Sequence, residues 1–290
     1  MPILVGTGHD VTAVGRSPDK RAALERMGAK PVDIDLFAAD AVRRAVSGHD
    51  ALINLATHMP PSTIRMLLPR AWRENDRIRR IGSRILADAA TAAGAGWFIQ
   101  ESFAPVYADG GDEWIDERWP IRPARYNRTV VDAEQSAERF TQRGGTGVVL
   151  RFAMFYGPDA FHVVDLIKLV RRGWAPVFGP DGFASSIAHD DAATAVVAAL
   201  GVGPGTYNVA DDVPLRRREW VDTLAQALHV GPPRFPPQWL ARLGGSLGEL
   251  LARSQRISNR KLRAESGWAP QYPSVREGWP VVVGEMKESR

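Results

Sequence analysis

Short apolar or β-branched runs alternate with amphipathic stretches through the first half of the chain. Continuous apolar runs are typical of buried strands, and apolar positions three and four residues apart are typical of helices. The pattern predicts strands at residues 11–14, 31–34, 51–56, 97–100 and 147–152. It predicts helices between them at residues 19–27, 38–46, 70–93 and 126–142. This alternation indicates an α/β fold with a doubly wound parallel sheet.

The rhythm changes after about residue 153, where Trp, Pro and Gly become denser and the segments shorten. Two predicted helices, residues 218–228 and 237–251, have no strand between them. We expect a sheet domain over residues 1–155 and a smaller lobe over residues 156–290. Such a lobe would pack at the carboxyl ends of the strands, where open α/β sheets bind ligands.

Composition narrows the classes of function. The 290 residues are 44% hydrophobic and contain no cysteine, which excludes disulfides and cysteine-based metal sites or nucleophiles. No apolar run approaches the ~18 residues of a membrane span, and residues 1–8 do not form a signal peptide. The net charge of +4 is diffuse, without a nucleic-acid-binding module. We therefore expect a cytoplasmic protein with neither a nucleic-acid nor a membrane partner, and no metal site.

Eight sequence segments carry a family resemblance in the correct order. They are GHDVTAVGR (8–16), DALINLAT (50–57), WFIQESFAPVYAD (97–109), RYNRTVVDAE (125–134), LRFAMFYGP (150–158), SSIAHDDAATAV (185–196), TYNVADDVPL (206–215) and GWAPQYPSVREGW (267–279). Together they resemble the extended short-chain dehydrogenase/reductase superfamily, of the NAD-dependent epimerase/dehydratase type, over residues 9–280. The resemblance implies a Rossmann-type sheet, an NAD or NADP cofactor, and a small-molecule substrate such as a nucleotide sugar.

The resemblance also places residues 9–16 at the family's second strand. A first strand, a glycine loop and a helix should precede it, a βαβ unit of roughly 25–30 residues. Only eight residues do, and we interpret residues 2–8 as the end of that helix with its glycine cap. The first strand lies in the middle of such a sheet, so its absence leaves backbone groups unpaired. Three outcomes are open: a start further upstream, which we favour, closure of the gap by its neighbours, or a substitute strand at residues 2–5.

In this family a tyrosine is the general acid/base, and a lysine four residues later lowers its pKa and holds the nicotinamide ribose. Tyr126 occupies the tyrosine position, eight residues before Glu134. Val130 occupies the lysine position and carries no charge. On a helix, Arg128 would lie about 200° away from Tyr126. The resemblance implies that Tyr126 is the acid/base; the alternative is an ordinary aromatic residue at the start of a helix.

The serine of the family's active site is also altered, because its position falls on Phe103. Ser102 precedes it, on the opposite face of a strand, although a loop would present it to the cleft. Glu101 stands at the carboxyl end of a central strand and is expected to face the cleft. We predict that Ser102 and Glu101 assist Tyr126; the alternative for Glu101 is a solvated or salt-bridged side chain.

The predicted cofactor-binding residues follow the ends of three strands: Arg16, Ser17, Asp35, Leu36, Leu55, Ala56 and Thr57. Arg16 suits the 2′-phosphate of NADP, whereas an NAD enzyme more often carries Asp or Glu at this point. The alternative for Arg16 is a generic cation at a strand end.

The leading hypothesis is an atypical NAD(P)-dependent, epimerase/dehydratase-like oxidoreductase acting on a nucleotide sugar or a related carbonyl or alcohol. The alternative is a non-catalytic member of the same fold that binds a nucleotide or a partner protein, which Val130 and Phe103 favour. A third reading, an unstable form that binds nothing, follows from the missing strand. By analogy with relatives, we expect a homodimer formed through helices 70–93 and 126–142.

Overall fold

Four parallel strands form the central sheet, in a computed structural model that describes residues 1–60, 63–66, 68–158, 160–175, 177–237, 239–241 and 245–288. Their order across the sheet is β10-β6-β4-β3, and their bounds are β3 Ala51–Asn54, β4 Trp97–Phe103, β6 Thr146–Phe152 and β10 Gly205–Val209. The middle strands are buried on both faces, which is why they read as apolar runs in the sequence. The predicted Rossmann-type parallel sheet is confirmed.

A second, two-stranded sheet stands beside the first. It pairs β1 (Thr12–Val14) with β2 (Lys30–Val32), and the described residues place no strand between β1 and β3. Instead, a side-chain contact bridges the gap: His49 Nε2 lies 2.9 Å from Thr12 Oγ1. The neighbouring strands therefore do not close the gap by pairing.

Residues 2–6 form a helix, α1 (Pro2–Gly6), and not the substitute strand that was one of the alternatives. It packs against α9 (His189–Ala198), and Gly8 ends the segment with φ of +88°. Residues 2–6 are thus helical, as expected, and a glycine follows the helix; that they end a longer helix stays a prediction. A left-handed residue suits glycine because it has no Cβ.

The predicted helix at 70–93 is a continuous helical stretch of changing pitch. A 3₁₀ turn, Pro69–Trp72, is followed by α5 (Arg73–Arg77), a π-helical turn at Ile78–Gly82, and α6 (Ser83–Ala92). Single π-turns inside α-helices occur frequently at functional sites.

The helix predicted at 126–142 begins four residues later than expected, as α7 (Val130–Gln142). Residues 126–129 form turns instead, because tertiary contacts hold them: Thr129 Oγ1 donates to Asp76 Oδ1 at 2.7 Å. Tyr126 therefore precedes the helix, and the expected one-turn relationship between Tyr126 and Val130 is wrong.

The remaining elements complete both halves. Residues 1–153 also contain α2 (Pro18–Arg26), α3 (Ala39–Val46), α4 (Thr63–Met66) and β5 (Trp114–Ile115). Beyond residue 153 come β7 (Met154–Tyr156), α8 (Phe161–Arg171), β8 (Phe183–Ala184), β9 (Ser186–Ala188), β11 (Leu215–Arg216), α10 (Arg217–Ala227), α11 (Gly245–Ala252), β12 (Arg256–Ile257), α12 (Arg260–Ser266) and α13 (Val275–Glu288).

The chain crosses between the two halves more than once. It returns to the central sheet at β10, and β12 pairs with β5. The domain boundary near residue 155 therefore stays a prediction.

The predicted helix at 237–251 includes most of α11, and residues 238 and 242–244 lie outside the described residues. None of the helices in the described ranges has the length and hydropathy needed to cross a membrane.

Candidate functional site

The helical stretch from residue 69 to 92 turns a row of mostly polar side chains toward the ends of β3 and β4. Trp72, Asn75, Arg79 and Ser83 follow each other at intervals of three and four residues, and their exposed fractions are only 0–5%. We call these four residues the polar ladder. Spacings of three and four place side chains on one face of a helix, so this buried row was visible in the sequence as a pattern. Sequence reasoning missed it because charged and amide residues are usually expected on the solvent side.

Two members of the ladder anchor the strand ends. Asn54 Nδ2, at the end of β3, donates to Ser83 Oγ at 3.2 Å and to Gln100 Oε1 at 2.8 Å. Asn75 Oδ1 accepts hydrogen bonds from the hydroxyl of Thr57 at 2.9 Å and from the backbone N–H of His58 at 3.0 Å. The ladder thereby fixes the loop that follows β3.

The third polar member, Arg79, forms an ion pair with Glu101 on β4. Arg79 Nη2 lies 3.3 Å from Glu101 Oε1, and the two side chains are 6% and 15% exposed. The other carboxylate oxygen of Glu101 and the Nε–H of Arg79 are buried without a hydrogen-bond partner. Glu101 is therefore salt-bridged, which was the alternative to a role in assisting Tyr126. Its Oε2 atom still lacks a hydrogen-bond donor.

Tyr126 lies against the first member of the ladder. Its ring packs on Trp72 with a centroid distance of 4.7 Å, and its hydroxyl makes no hydrogen bond with the described residues. Burial raises the pKa of Tyr126 well above its usual value of about 10, and the positive charges of Arg79 and Arg253 oppose that rise. Val130, at the position of the family's lysine, carries no charge. Arg79 and Arg253, from distant parts of the sequence, act on Tyr126 with positive charges instead.

Val130 and Ser102 face elsewhere. Val130 is fully buried in the core beneath the sheet. The strand β4 continues through Phe103, so Ser102 is in a strand and not in a loop, and its hydroxyl donates to Glu134 Oε1 at 2.5 Å. The structure therefore brings Tyr126, Arg79 and Glu101 together and places Ser102 with Glu134 on α7.

The predicted cofactor residues lie along the carboxyl ends of β1, β2 and β3. Arg16 is exposed, and Ser17 caps α2 by accepting the N–H of Lys20 at 3.3 Å. Asp35 is exposed and accepts the N–H of Phe37, and Leu36 packs partly buried on the core. After β3, Leu55 is 47% exposed, Ala56 donates its N–H to Asn54, and Thr57 contacts Asn75.

The unused polar atoms test whether these residues fit a nicotinamide cofactor. Asn75 Nδ2, Arg79 Nε, Glu101 Oε2 and both amide atoms of Asn127 are buried without a partner. Such atoms destabilise a protein unless something else bonds them, so their concentration near Tyr126 fits a polar ligand there. The described residues supply no glycine-rich turn for the pyrophosphate of such a cofactor.

A Rossmann-type sheet with polar groups gathered at its strand ends defines a nucleotide-cofactor-binding protein. The family model described as NAD(P)H-binding matches residues 1–202. The chain belongs to this NAD(P)H-binding family.

Two curated relatives match almost the whole chain. A 3-diazoavenalumate denitrifying reductase from Streptomyces sp is 31% identical over 284 residues, covering 93% of this chain and 91% of the relative. A 4-hydroxy-2-methyl-3-oxo-4-farnesyl-3,4-dihydroquinoline-1-oxide ketoreductase from Stigmatella aurantiaca is 28% identical over 322 residues, covering 98% and 93%. Both relatives are reductases by name.

Solved structures share the fold. A human epimerase family protein with NADPH has a TM-score of 0.81 at 20% identity, covering 97% of this chain and 93% of that one. The dTDP-glucose 4,6-dehydratase from Streptomyces venezuelae, with NAD bound, has a TM-score of 0.79 at 19% identity, covering 99% and 92%. The expected fold and the expected NAD(P)-binding domain are confirmed.

Proposed function

We propose that this protein is an NAD(P)-dependent reductase of a carbonyl or a related electrophilic group, with Tyr126 as the proton donor. The observation that carries the proposal is the position of Tyr126, against the polar ladder and within the fields of Arg79 and Arg253. The reductase names of the two curated relatives support the same direction of reaction. A nucleotide sugar, the other substrate class considered, has support only from structures below 25% identity.

The chain's own residues would handle the proton. When bound, the reduced nicotinamide supplies a hydride. Tyr126 gives its phenolic proton to the substrate oxygen, so that a carbonyl becomes an alcohol, and water later returns a proton to the phenolate. Tyr126 is protonated at neutral pH, and the charges of Arg79 and Arg253 oppose the loss of acidity that burial causes. Arg79 and Arg253 stabilise the phenolate that remains, and Glu101 positions Arg79.

The cofactor that best suits these residues is NADPH. Arg16 is an exposed cation at the end of β1 and forms no ion pair with the described residues. The backbone N–H groups at the start of α2 stand next to it, after Ser17. A cation beside a helix N-terminus is well suited to a phosphate group.

The test is the oxidation of NADPH with a panel of aryl aldehydes, aryl ketones and quinones, followed by the loss of NADPH absorbance. Tyr126→Phe should lower kcat by about 10²–10⁴-fold, the usual contribution of general acid catalysis. Tyr272→Phe, in the small lobe, is the matched control and should keep the wild-type rate. Full activity in Tyr126→Phe, or no NADPH binding by the wild type, would support the non-catalytic alternative.

We also propose a homodimer through the outer face of α6 and α7, the helices named by analogy. Two ion pairs, Arg80–Asp132 and Arg143–Asp88, tie these helices together within the chain, and Ile81 is 39% exposed beside them. Light scattering should show a dimer for the wild type and a monomer for Ile81→Asp. A monomeric wild type at micromolar concentration would contradict the proposal.

A further inference from the structure

A small cavity lies between the loop that follows β4 and the segments that carry β7, β8, β9 and α10. Its volume is about 50 Å³, and most of its wall is apolar, including Met154, Phe183, Trp220 and Leu251. A space of this size holds a few water molecules. It suits one end of a ligand, such as a carboxylate and the carbons next to it, better than a nucleotide sugar.

Most of the polar groups in the wall already have partners. Ser186 Oγ accepts the Nε1–H of Trp220 at 2.9 Å, and Gln255 Nε2 donates to the carbonyl of Tyr107 at 3.0 Å. Ser185 is bonded to the backbone on both sides. These groups therefore shape the cavity without demanding a ligand.

Arg217 is different because its charge is buried and no carboxylate of the described residues pairs with it. It is 4% exposed, and its guanidinium donates to the carbonyls of Phe178 at 2.8 Å, Gly179 at 2.9 Å and Arg253. All three acceptors are neutral. Among the described residues, no carboxylate forms an ion pair with Arg217, and its Nε–H has no acceptor. A buried cation without an anion is costly, and the cavity is the place from which an anion could reach it.

Asp109 is not the missing anion partner of Arg217. Asp109 is the residue whose negative charge acts on Arg217, but its two oxygens already accept the backbone N–H groups of Gly111 at 2.9 Å and Ser254 at 3.0 Å. Burial outweighs its influence and lowers the pKa of Arg217 to about 10. Arg217 therefore stays charged at neutral pH and keeps an uncompensated positive field in the cavity.

One arginine relates the cavity to the proposed catalytic tyrosine. Arg253 lines the cavity and also acts on Tyr126 with its charge. Its guanidinium is fixed by donation to the carbonyls of Tyr107 at 3.1 Å and Arg122 at 2.6 Å. Arg253 is thus the residue that a molecule would have to pass if one end lay in the cavity and the other end lay at Tyr126.

We infer that Arg217 binds the carboxylate of an elongated substrate, whose reducible group lies at Tyr126. This inference rests on the proposed reductase function for the reducible end, while the carboxylate site is defined by the cavity alone. A hydrogen bond from a buried guanidinium to a carboxylate is stronger than one to a neutral ester, so at least a tenfold preference for an acid over its neutral ester is expected.

The experiment measures binding of trans-cinnamate and methyl cinnamate to the full-length protein without cofactor, by quenching of tryptophan fluorescence. Trp220 lies in the cavity wall and reports on its occupation. The wild type should bind cinnamate at least tenfold more tightly than the ester. Arg217→Met should bind both equally, Arg217→Lys should keep part of the preference, and Arg171→Met, an exposed arginine on α8, should keep all of it.

Two results would overturn the inference: equal binding of acid and ester by the wild type, or a folded Arg217→Met that retains the preference. If Arg217→Met does not fold, the acid-to-ester comparison in the wild type and in Arg217→Lys decides. The two proposals fail separately. Selective cinnamate binding with full activity in Tyr126→Phe removes the reductase mechanism and keeps the carboxylate site, whereas Tyr126-dependent turnover without acid preference does the reverse.

Discussion

Arg151 on β6 donates two hydrogen bonds, of 2.8 and 2.7 Å, to the carboxylate of Glu134 on α7. The side chains of Arg151 and Glu134 are only 7% and 12% exposed. The hydroxyl of Ser102 adds a third bond to the same carboxylate. The helix that follows Tyr126 is thereby fixed to the two central strands. This buried pair, and not a catalytic serine, accounts for the position of Ser102.

Removing one partner of this pair should destabilise the protein strongly. Glu134→Ala leaves the Arg151 charge buried and unpaired, which typically costs about 3–5 kcal/mol. The free energy of unfolding in urea measures the effect. Asp88→Ala breaks the exposed Arg143–Asp88 pair, with both side chains 50% exposed, and should cost less than about 1 kcal/mol. Equal losses in the two variants would contradict the assigned role of Glu134.

Arg79 should control the acidity of Tyr126. Its charge opposes the rise in the pKa of Tyr126, so Arg79→Met makes Tyr126 a weaker acid and should lower kcat by about 10²-fold while KM changes little. Arg79→Lys should recover part of the rate. Because the pKa of Tyr126 stays above 10, the wild-type rate should show no loss from Tyr126 ionisation between about pH 7 and 9. Removing one partner of a buried ion pair also destabilises the protein, so kcat is compared at a temperature at which both forms are folded. A wild-type kcat in folded Arg79→Met would contradict this role.

Restoring the family's lysine should fail to restore its function. Val130 is fully buried in the core, so Val130→Lys places a cation among apolar side chains and should cost about 4 kcal/mol or more, equivalent to roughly three pKa units. Val130→Ala, which only removes methyl groups, should cost about 2 kcal/mol. Denaturant titration compares the two. A stable Val130→Lys with higher activity would mean that this position faces the cleft.

Arg16 should select the cofactor. Arg16→Ala removes the cation proposed for the 2′-phosphate, so the Kd for NADPH should rise about tenfold or more while the Kd for NADH stays unchanged. Arg26→Ala, at the opposite end of α2, is the matched control. Nicotinamide fluorescence measures both dissociation constants. Equal weakening of NADPH and NADH would assign Arg16 a role other than phosphate recognition.

Asp211 should weaken the fold at neutral pH. Burial and the neighbouring charges of Asp212, Asp191 and Glu277 raise its pKa well above the usual 3.8, and its Oδ1 lacks a partner. A raised pKa means that stability from this group is full below pH 3.8 and is lost as the pH rises through the folded-state value. Asp211→Asn should therefore raise Tm at pH 7, and this gain should shrink toward pH 4.

Asp212→Asn provides the contrast, because Asp212 accepts a hydrogen bond from Asn259 and pairs with Arg263 at 2.7 Å. Thermal melts should show a lower Tm for this variant at pH 7. If Asp211→Asn were also less stable than the wild type at pH 7, the Asp211 carboxylate would have to be a stabilising anion.

The sequence by itself determined the parallel sheet and the NAD(P)-binding class. Buried parallel strands such as β6 are recognisable as apolar runs because both of their faces are covered. Ser17 before α2 and Gly8 after α1 mark helix ends through bonds or backbone angles that involve only a few neighbouring residues. Such signals are local, and the family segments are also local, so both survive in a single sequence.

Only the tertiary structure decided how the site is assembled. Local propensity extends α7 back to Tyr126, but the bond from Thr129 to Asp76 on α5 holds those residues in turns. Arg79 lies in the π-helical turn at residues 78–82 and Arg253 directly follows α11, yet the charges of both act on Tyr126. The charge that acts on Tyr126 therefore comes from residues that are distant in the sequence. The family's motif of a tyrosine and a lysine four residues apart could not predict it.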